Sequence, residues 1–167
     1  FLRRGVYTNK QNNNFLRCIA SIKGISNYEN FKFNLVKNLT PDLFLNLNND
    51  NLIKIYSSNS ILPNSKKQLE NFKLFLTENK YLINLLNLEN NIIERVNKIN
   101  NIKKISDIKK LIVLYELFTS YTNYIKNILS PDVDIDYTHY LDLISRNNDL
   151  IFEDGVSIVI FNKESNN

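Results

Sequence analysis

The chain has 167 residues, of which 43% are hydrophobic, and its 21 basic and 17 acidic side chains give a net charge of +4. A chain of this length and apolar content forms one ordinary globular domain with a core, so the intrinsically disordered class is excluded. One cysteine cannot form an internal disulfide, and one cysteine with one histidine cannot supply a zinc site of the usual Cys/His type. Three glycines are too few for a phosphate-binding glycine loop, which excludes nucleotide hydrolysis through such a loop.

Amino-acid usage indicates the kind of genome that encodes the chain. Thirty of its residues are asparagine, glycine and proline are scarce, and tryptophan and methionine are absent. The common residues are those with AT-rich codons, which indicates an AT-rich virus, protist or plasmid as the source. The chain begins with Phe1 rather than methionine, so we expect residues 1–167 to be a single domain cut from a longer polypeptide. No run approaches the ~20 apolar residues that span a bilayer, so we expect no membrane partner.

Helical periodicity dominates the first half of the sequence. Gly24 is placed to end a first helix, because glycine readily adopts the left-handed conformation found at helix C-termini. Thr40 and Pro41 strongly indicate the start of a new helix, with threonine as the N-cap, proline at the first helical position and Asp42 in the first turn. The predicted elements of this half are an extended lead-in over 1–7, helices over 14–24, 27–39 and 41–47, an apolar piece of unassigned class at 52–56, and a loop over 57–64.

The second half contains the longest predicted helix. Ser106 and Asp107 cap it, and apolar residues at helical spacing continue to Leu129, so its 24 residues would span about 36 Å. β-branched residues between Val156 and Phe161 predict a buried strand. The other predicted elements are helices over 65–78, 90–100 and 137–146, a turn at 153–155, and a second strand segment at 150–152. Residues 80–87 either continue the helix over 65–78 or form a separate short helix.

These elements predict an α+β fold that is predominantly helical, with six to eight helices and a small sheet. The sheet would contain residues 156–161, with residues 150–152 or the N-terminal lead-in as neighbouring strands. No internal repeat and no linker divides the chain, so the sequence gives no reason to expect a second domain.

Residues 11–19 form the most informative motif, because a polar, turn-prone stretch stands directly before an apolar helical run. At a helix N-terminus the orphan backbone N–H groups and the helix dipole stabilise an anion, and a nucleophilic thiolate gains from such a position. The residue at that place is Asn14, which is not a nucleophile. Cys18, the only cysteine of the chain, lies one helical turn further on.

This motif resembles the Asp-Gly-Asn-Cys-Leu-Phe-Arg-Ala-Ile-like block of ovarian-tumour-type cysteine proteases. Asn13, Arg17 and Ile19 match the family pattern, and Asn14 falls where the family has its nucleophile. The segments 140–144 and 156–162 are also similar to the family's helix and core strand. The resemblance implies a degenerate papain-like fold, and hence a pseudoenzyme, since no histidine follows the strand where the family has its catalytic base.

A second resemblance covers segments at both ends of the chain. These segments are similar to transcription-related proteins of nucleocytoplasmic large DNA viruses, and in particular to the poxvirus-type early transcription factor large subunit. The resemblance implies a viral protein that acts in transcription, in the host cytoplasm or the virion; a non-viral protein would be expected in the cytosol. The segments concerned are Phe1 to Val6, Asn13 to Leu16, and the Leu-Ile-Ser and Gly-Val-Ser-Ile-Val-Ile-Phe runs near the C-terminus.

Cys18 and His139 are the candidate catalytic pair. Cys18 shares a helical phase with Phe15, Ile19 and Ile22, which favours a small core residue over a nucleophile. His139 follows several acids, but a surface or helix-capping histidine is the expected role. A dyad of the two would require the fold to bring them together.

Two charged segments are candidate binding sites. Asp132, Asp134 and Asp136 alternate in a way that suits a hard cation, but the EF-hand pattern is missing and a solvated acidic loop is the preferred interpretation, with no metal. The lysines near the start of the long helix could instead hold phosphates and position a duplex, with a solvated basic face as the alternative. These candidate nucleic-acid-binding residues are Lys103, Lys104, Lys109 and Lys110.

The sequence therefore predicts a non-catalytic scaffold or interaction domain of a larger viral protein, with a role in viral transcription. The expected partners are other domains or subunits of the same assembly, and DNA. No cofactor is expected. The alternative is an ovarian-tumour-type cysteine protease or deubiquitinase, active or degenerate, with ubiquitin as its partner.

Overall fold

The computed structural model describes residues 14–86, 96, 105–131, 133, 136–146 and 151–159, and the structural statements below concern these residues. Contacts divide the chain into two compact units. The split unit contains residues 1–50 and 125–167, and the central unit contains residues 51–124. The prediction that residues 1–167 form a single domain stays a prediction.

Helices account for the regular structure of the described residues, and none of these helices is both long and apolar enough to cross a membrane. In chain order they are α1 (Asn14–Ile22), α2 (Tyr28–Lys37), α3 (Pro41–Leu45), a 3-10 turn (Leu47–Asp50), α4 (Asn51–Tyr56), α5 (Lys66–Glu78), α6 (Lys80–Leu85), α7 (Ile105–Leu129) and α8 (Thr138–Ser145).

Capping residues set the helix boundaries of the split unit. The Asn27 side chain accepts a hydrogen bond from a backbone N–H in the first turn of α2, and the Thr40 side chain does the same for α3. Pro41 follows Thr40 at the first position of α3. Gly24 has a φ of +72°, the left-handed conformation that ends a helix. The predicted helix end at Gly24 and the predicted helix start at Thr40 are therefore confirmed.

The core of the split unit is built from one apolar face of each helix. Each of these large side chains contributes about 1.5–3 kcal/mol on burial. The rings of Phe15, Tyr137 and Tyr140 join two of the helices, with centroids 6.1 Å apart for Phe15 and Tyr137 and 6.4 Å apart for Phe15 and Tyr140. The start of α1 thus lies beside the start of α8. The buried core residues include Leu16, Ile19, Phe31, Leu35, Phe44, Leu47, Tyr140, Leu143 and Ile144.

Charged side chains of the split unit bind backbone atoms of other elements. The Asp142 carboxylate of α8 accepts a hydrogen bond at 2.7 Å from the backbone N–H of Asn48, whose φ of +50° is one that asparagine tolerates. Arg146, one helical turn later, donates to the backbone carbonyl of Asn46. Helix α8 therefore fixes the bend between α3 and the 3-10 turn.

Lys32 is the most buried charged residue described in the split unit, with 1% of its side chain exposed. Its ammonium donates at 3.2 Å to the backbone carbonyl of Leu129, the last residue of α7, and lies 3.0 Å from the carboxylate of Glu29. It also lies 5.1 Å from the ring centroid of Tyr28. A cation is favourable at this helix end, because the last carbonyls carry the negative end of the helix dipole.

Aromatic rings join α5 to α7 in the central unit. The Phe72 ring lies 5.1 Å from that of Tyr115 and 5.6 Å from that of Phe118. The Phe75 ring lies 5.2 Å from that of Phe118 and 6.2 Å from that of Tyr121. Burial raises the pKa of Tyr121, and the negative charge of a nearby glutamate adds to the shift, so the phenol stays neutral.

Two polar side chains of α7 tie α4 into the central unit. The buried hydroxyl of Ser120 donates at 2.8 Å to the carbonyl of Ile53, and the Asn123 amide donates at 2.9 Å to the carbonyl of Tyr56. These carbonyls lie in the last turn of α4, where backbone carbonyls have no intrahelical hydrogen-bond partner. Residues 52–56, whose class the sequence left unassigned, are thus helical.

The predicted α+β class is wrong, because the described residues contain no strand. Residues 156–159 are irregular, and the backbone N–H of Val156 donates to the carbonyl of Ser145 at the end of α8. Val159 is 71% exposed. β-branched residues favour strands when they pack against a neighbouring strand, and here the segment meets a helix end instead. The core strand implied by the ovarian-tumour-type resemblance is therefore not seen in 156–159.

Several other predicted boundaries shift by one or two residues. Helix α7 has 25 residues and begins at Ile105, so Ser106 lies within its first turn rather than capping it. Gly155, with a φ of +72°, forms the predicted turn by donating from its N–H to the carbonyl of Phe152. The lead-in over 1–7 and residues 160–161 lie outside the described residues, as does the helix predicted over 90–100 apart from Val96, which is helical and buried.

Candidate functional site

Asn14 is the first residue of α1 and is exposed. The amide side chain therefore stands at a helix start, where the sequence placed it. Helix α1 continues with Phe15 and Leu16 turned to the interior, half-buried and buried respectively. An amide at this position can bond to backbone groups but cannot attack a carbonyl carbon, so this position offers no nucleophile.

Cys18 and His139 lie on α1 and α8, the two helices that the Phe15 ring joins. Both side chains are half-buried. Within the part of the chain that the structure describes, the Cys18 thiol makes no hydrogen bond, so it has no base in bonding reach there. The dyad that the sequence left open is not formed in this structure.

Asp136, which precedes α8, bonds to the first residue of that helix. One oxygen of the Asp136 carboxylate accepts hydrogen bonds from the backbone N–H of Thr138 at 2.8 Å and from its hydroxyl at 2.7 Å. These bonds lower the pKa of Asp136, and the charge of His139 adds a smaller effect. Asp132 and Asp134 lie outside the described residues. Over the described ranges, no three His, Cys, Asp or Glu side chains come together as a metal site would require.

Positive charge is concentrated in the central unit. Residues 51–124 hold 11 of the 21 basic side chains and six of the 17 acidic ones, so the central unit carries +5 and the split unit −1. Of the four lysines singled out in the sequence, Lys109 is exposed on α7 and Lys110 is half-buried. Lys103 and Lys104 lie outside the described residues.

Two further lysines were missed in the sequence. Lys66 and Lys67 are the first two residues of α5, and both are exposed. Ser65 precedes them as N-cap, its hydroxyl accepting a hydrogen bond from the N–H of Gln68. A positive charge in the first turn opposes the helix dipole, and this unfavourable placement is the signal that could have drawn attention to them.

The buried and half-buried charges of the split unit were also missed. The side chains of Lys32, Asp142 and Arg146 all form hydrogen bonds with backbone atoms. Their role is therefore to stabilise the fold and not to take part in catalysis. Arg17 lies over the ring of Tyr28, 4.1 Å from its centroid, and Lys23 lies 4.9 Å from the ring centroid of Phe152. Such cation–π contacts hold neighbouring segments together.

Comparison with known proteins gives no relationship from which a role could be transferred. No family model matches the chain, and no curated protein and no solved structure matches it. The function must therefore be argued from the side chains themselves, among which Lys66, Lys67 and Lys109 are exposed lysines of the central unit.

Proposed function

We propose that this chain is a non-catalytic interaction module whose central unit contacts the phosphate backbone of DNA. The observation that carries the proposal is the division of charge, +5 on the central unit against −1 on the split unit. Lysines that neutralise phosphates release condensed counterions, and this release supplies most of the affinity of sequence-independent binding. The module acts within a larger viral assembly in transcription, the setting that the resemblance to large DNA virus proteins implies.

Two candidate catalytic residues among those described, Asn14 and Cys18, are compatible with a binding role. Asn14 stands where a nucleophile would be needed, and the Cys18 thiol is not hydrogen-bonded within the described residues. Lys109, by contrast, presents its ammonium to solvent one turn into α7, next to Lys110. Exposed lysines at this density suit positioning contacts with phosphates, which carry no sequence information.

Fluorescence anisotropy with a labelled DNA duplex tests the proposal. The wild-type chain is expected to bind with an affinity that falls linearly with salt on a log–log scale, by about 0.9 per phosphate contacted. Replacing Lys103, Lys104 and Lys109 together by glutamate is expected to weaken binding by an order of magnitude or more and to reduce that slope. An affinity that does not respond to salt, or that survives the triple replacement, would contradict the proposal.

One observation keeps a cysteine protease as the second candidate. The contacts of Phe15 with Tyr137 and Tyr140 bring the helix of Cys18 beside the helix of His139. A ubiquitin-reactive probe separates the candidates, because covalent labelling of Cys18 would favour the protease and an unlabelled thiol would leave the interaction module.

A further inference from the structure

The segment from Val156 to Val159 is covered on one side only. Val156 and Ile158 are half-buried, whereas Ser157 and Val159 are exposed, and Val159 is 71% exposed. Such alternation is that of an extended chain, whose successive side chains point to opposite sides. One face of the segment therefore rests on the protein and the other face is open to solvent.

The backbone of this segment is hydrogen-bonded along one edge only. In an extended chain the N–H and C=O groups of alternate residues point to the same edge. The N–H of Val156 donates at 3.0 Å to the carbonyl of Ser145, so the edge that Val156 shares with Ile158 faces the end of α8. Ser157 and Val159 present their groups at the opposite edge, and neither residue forms a hydrogen bond in the described structure. We call this opposite edge, formed by Ser157 and Val159, the open edge.

The sequence around the open edge does not protect it from other chains. Natural proteins guard unpaired edges with charged residues or proline, and residues 155–162 contain neither. Val156, Ile158 and Val159 instead have β-branched side chains, which pack well across paired strands. An unguarded extended edge of this kind is suited to pairing with an extended segment of another chain.

We propose that the open edge pairs with the same segment of a second copy of this chain, in an antiparallel arrangement centred on Ile158. Ser157 of one copy then lies opposite Val159 of the other, and each such pair exchanges both of its N–H···O bonds. The two Ile158 residues form a pair without hydrogen bonds, in which opposing side chains approach most closely. The pairing joins two chains and does not depend on DNA binding.

Charge favours the antiparallel direction and a second copy as the partner. Glu153 and Asp154 lie exposed in the turn before the segment. Parallel pairing of two copies would place these carboxylates side by side, whereas antiparallel pairing moves the two turns to opposite ends. By sequence, Lys163 follows Ile158 at the same distance at which Glu153 precedes it, so antiparallel pairing brings opposite charges together. The segment is thus complementary to itself.

Hydrogen bonds and charge also favour the centre at Ile158. A centre at Ser157 would set Val159 opposite Gly155, whose N–H is already bonded to the carbonyl of Phe152. A centre at Val159 would bring Asp154 toward Glu164 of the other copy, two like charges. The centre at Ile158 avoids both costs and uses every backbone group of the open edge.

Sedimentation equilibrium of the full-length chain measures the pairing. The mean mass of the wild-type protein is expected to rise from 19.6 kDa toward twice that value between micromolar and millimolar concentration. Val159→Pro removes an N–H that the dimer uses twice, so it should lower the association constant by about tenfold or more. Ile61→Pro is the control, because Ile61 is 66% exposed in the loop between α4 and α5, and it should change association by less than about twofold. Circular dichroism checks that each variant keeps its helices.

Disulfide cross-linking tests the register in a background with Cys18→Ser, which removes the only native cysteine. Ile158→Cys places a thiol in the central pair, where the Cβ separation suits a disulfide, whereas Val159→Cys places one where the two copies are offset. Under mild oxidation the Ile158→Cys chain is expected to form covalent dimers at least about fivefold faster than the Val159→Cys chain. Random collisions would give the reverse order, because Val159 is exposed and Ile158 is half-buried.

The other outcomes contradict the inference. A mean mass that stays at 19.6 kDa up to millimolar concentration would exclude the dimer, and so would Val159→Pro and Ile61→Pro chains that associate equally well. Cross-linking at residue 159 that is as fast as at residue 158 would exclude the antiparallel register. Growth into fibres would show an open-ended association in place of a closed pair. Each of these results leaves the proposed DNA contact standing, because DNA binding is measured separately.

Discussion

Lys32 of the split unit and the exposed lysines of the central unit show two different uses of the same side chain. In the split unit, Lys32 is 1% exposed and its ammonium caps the end of α7, and Asp142 holds a backbone N–H. In the central unit, Lys66 and Lys109 are exposed on helix surfaces. A charge that meets an orphan backbone group stabilises the fold, whereas a charge left in solvent is available to a partner. Net charge alone would not distinguish the two.

The largest expected effect concerns the aromatic core of the central unit. Phe72→Ala removes a fully buried ring that contacts two rings of α7, so it should lower the free energy of unfolding by about 3–5 kcal/mol. Leu74→Ala on the same helix is the control, because that side chain is 58% exposed and its loss should cost less than about 0.5 kcal/mol. Urea unfolding followed by circular dichroism measures both, and similar losses would show that the rings do not carry the stability of this unit.

The next effect tests whether the buried lysine is structural. Lys32→Ala removes a charge-assisted hydrogen bond to the carbonyl of Leu129 and a buried hydrocarbon stem, and should cost about 2–3 kcal/mol. Lys37→Ala, at an exposed position of the same helix, should be close to neutral. The same unfolding assay compares them. If Lys32→Ala left the free energy of unfolding unchanged but weakened DNA binding, the structural role assigned to Lys32 would be wrong.

The smallest effect is a pH dependence at the start of α8. Hydrogen bonds from Thr138 lower the pKa of Asp136 in the folded state, so the charged carboxylate stabilises the fold above the unfolded pKa of about 3.9. This contribution is lost as the pH falls through the lower folded pKa. Thr138→Val keeps the backbone bond and removes the hydroxyl, so carboxyl NMR should show the pKa of Asp136 rising partway toward its ordinary value. An unchanged titration curve would contradict the assigned cause.

Local signals in the sequence were enough to predict most of the helices of the described residues. Thr40 with Pro41 marks the start of α3, and Gly24 marks the end of α1, because caps depend on residues that are neighbours in sequence. The strand over 156–161 was predicted from β-branched residues alone. β-branched residues are favourable in a strand when their side chains pack against a neighbouring strand. In the described structure residues 156–159 have no neighbouring strand.

Contacts between distant segments explain what the sequence did not reveal. Lys32 lies beside Phe31 on α2, and only the approach of Leu129, 97 residues later, makes it a helix cap. Phe72 lies beside Tyr115 only because α5 and α7, far apart in sequence, pack together. No local sequence pattern encodes either of these contacts between distant segments. The candidate site could therefore be predicted on α7 but not on α5.

The central claim, that exposed lysines of the central unit bind DNA and the buried Lys32 of the split unit does not, is tested most directly by NMR. Lysine side chains labelled with ¹³C and ¹⁵N during protein synthesis would be observed while a DNA duplex is added to the full-length chain. We expect the signals of Lys66, Lys67 and Lys109 to shift together at low salt and return at high salt, with Lys32 unchanged. Shifts at Lys32 or elsewhere in the split unit, with the three central lysines unaffected, would contradict the account.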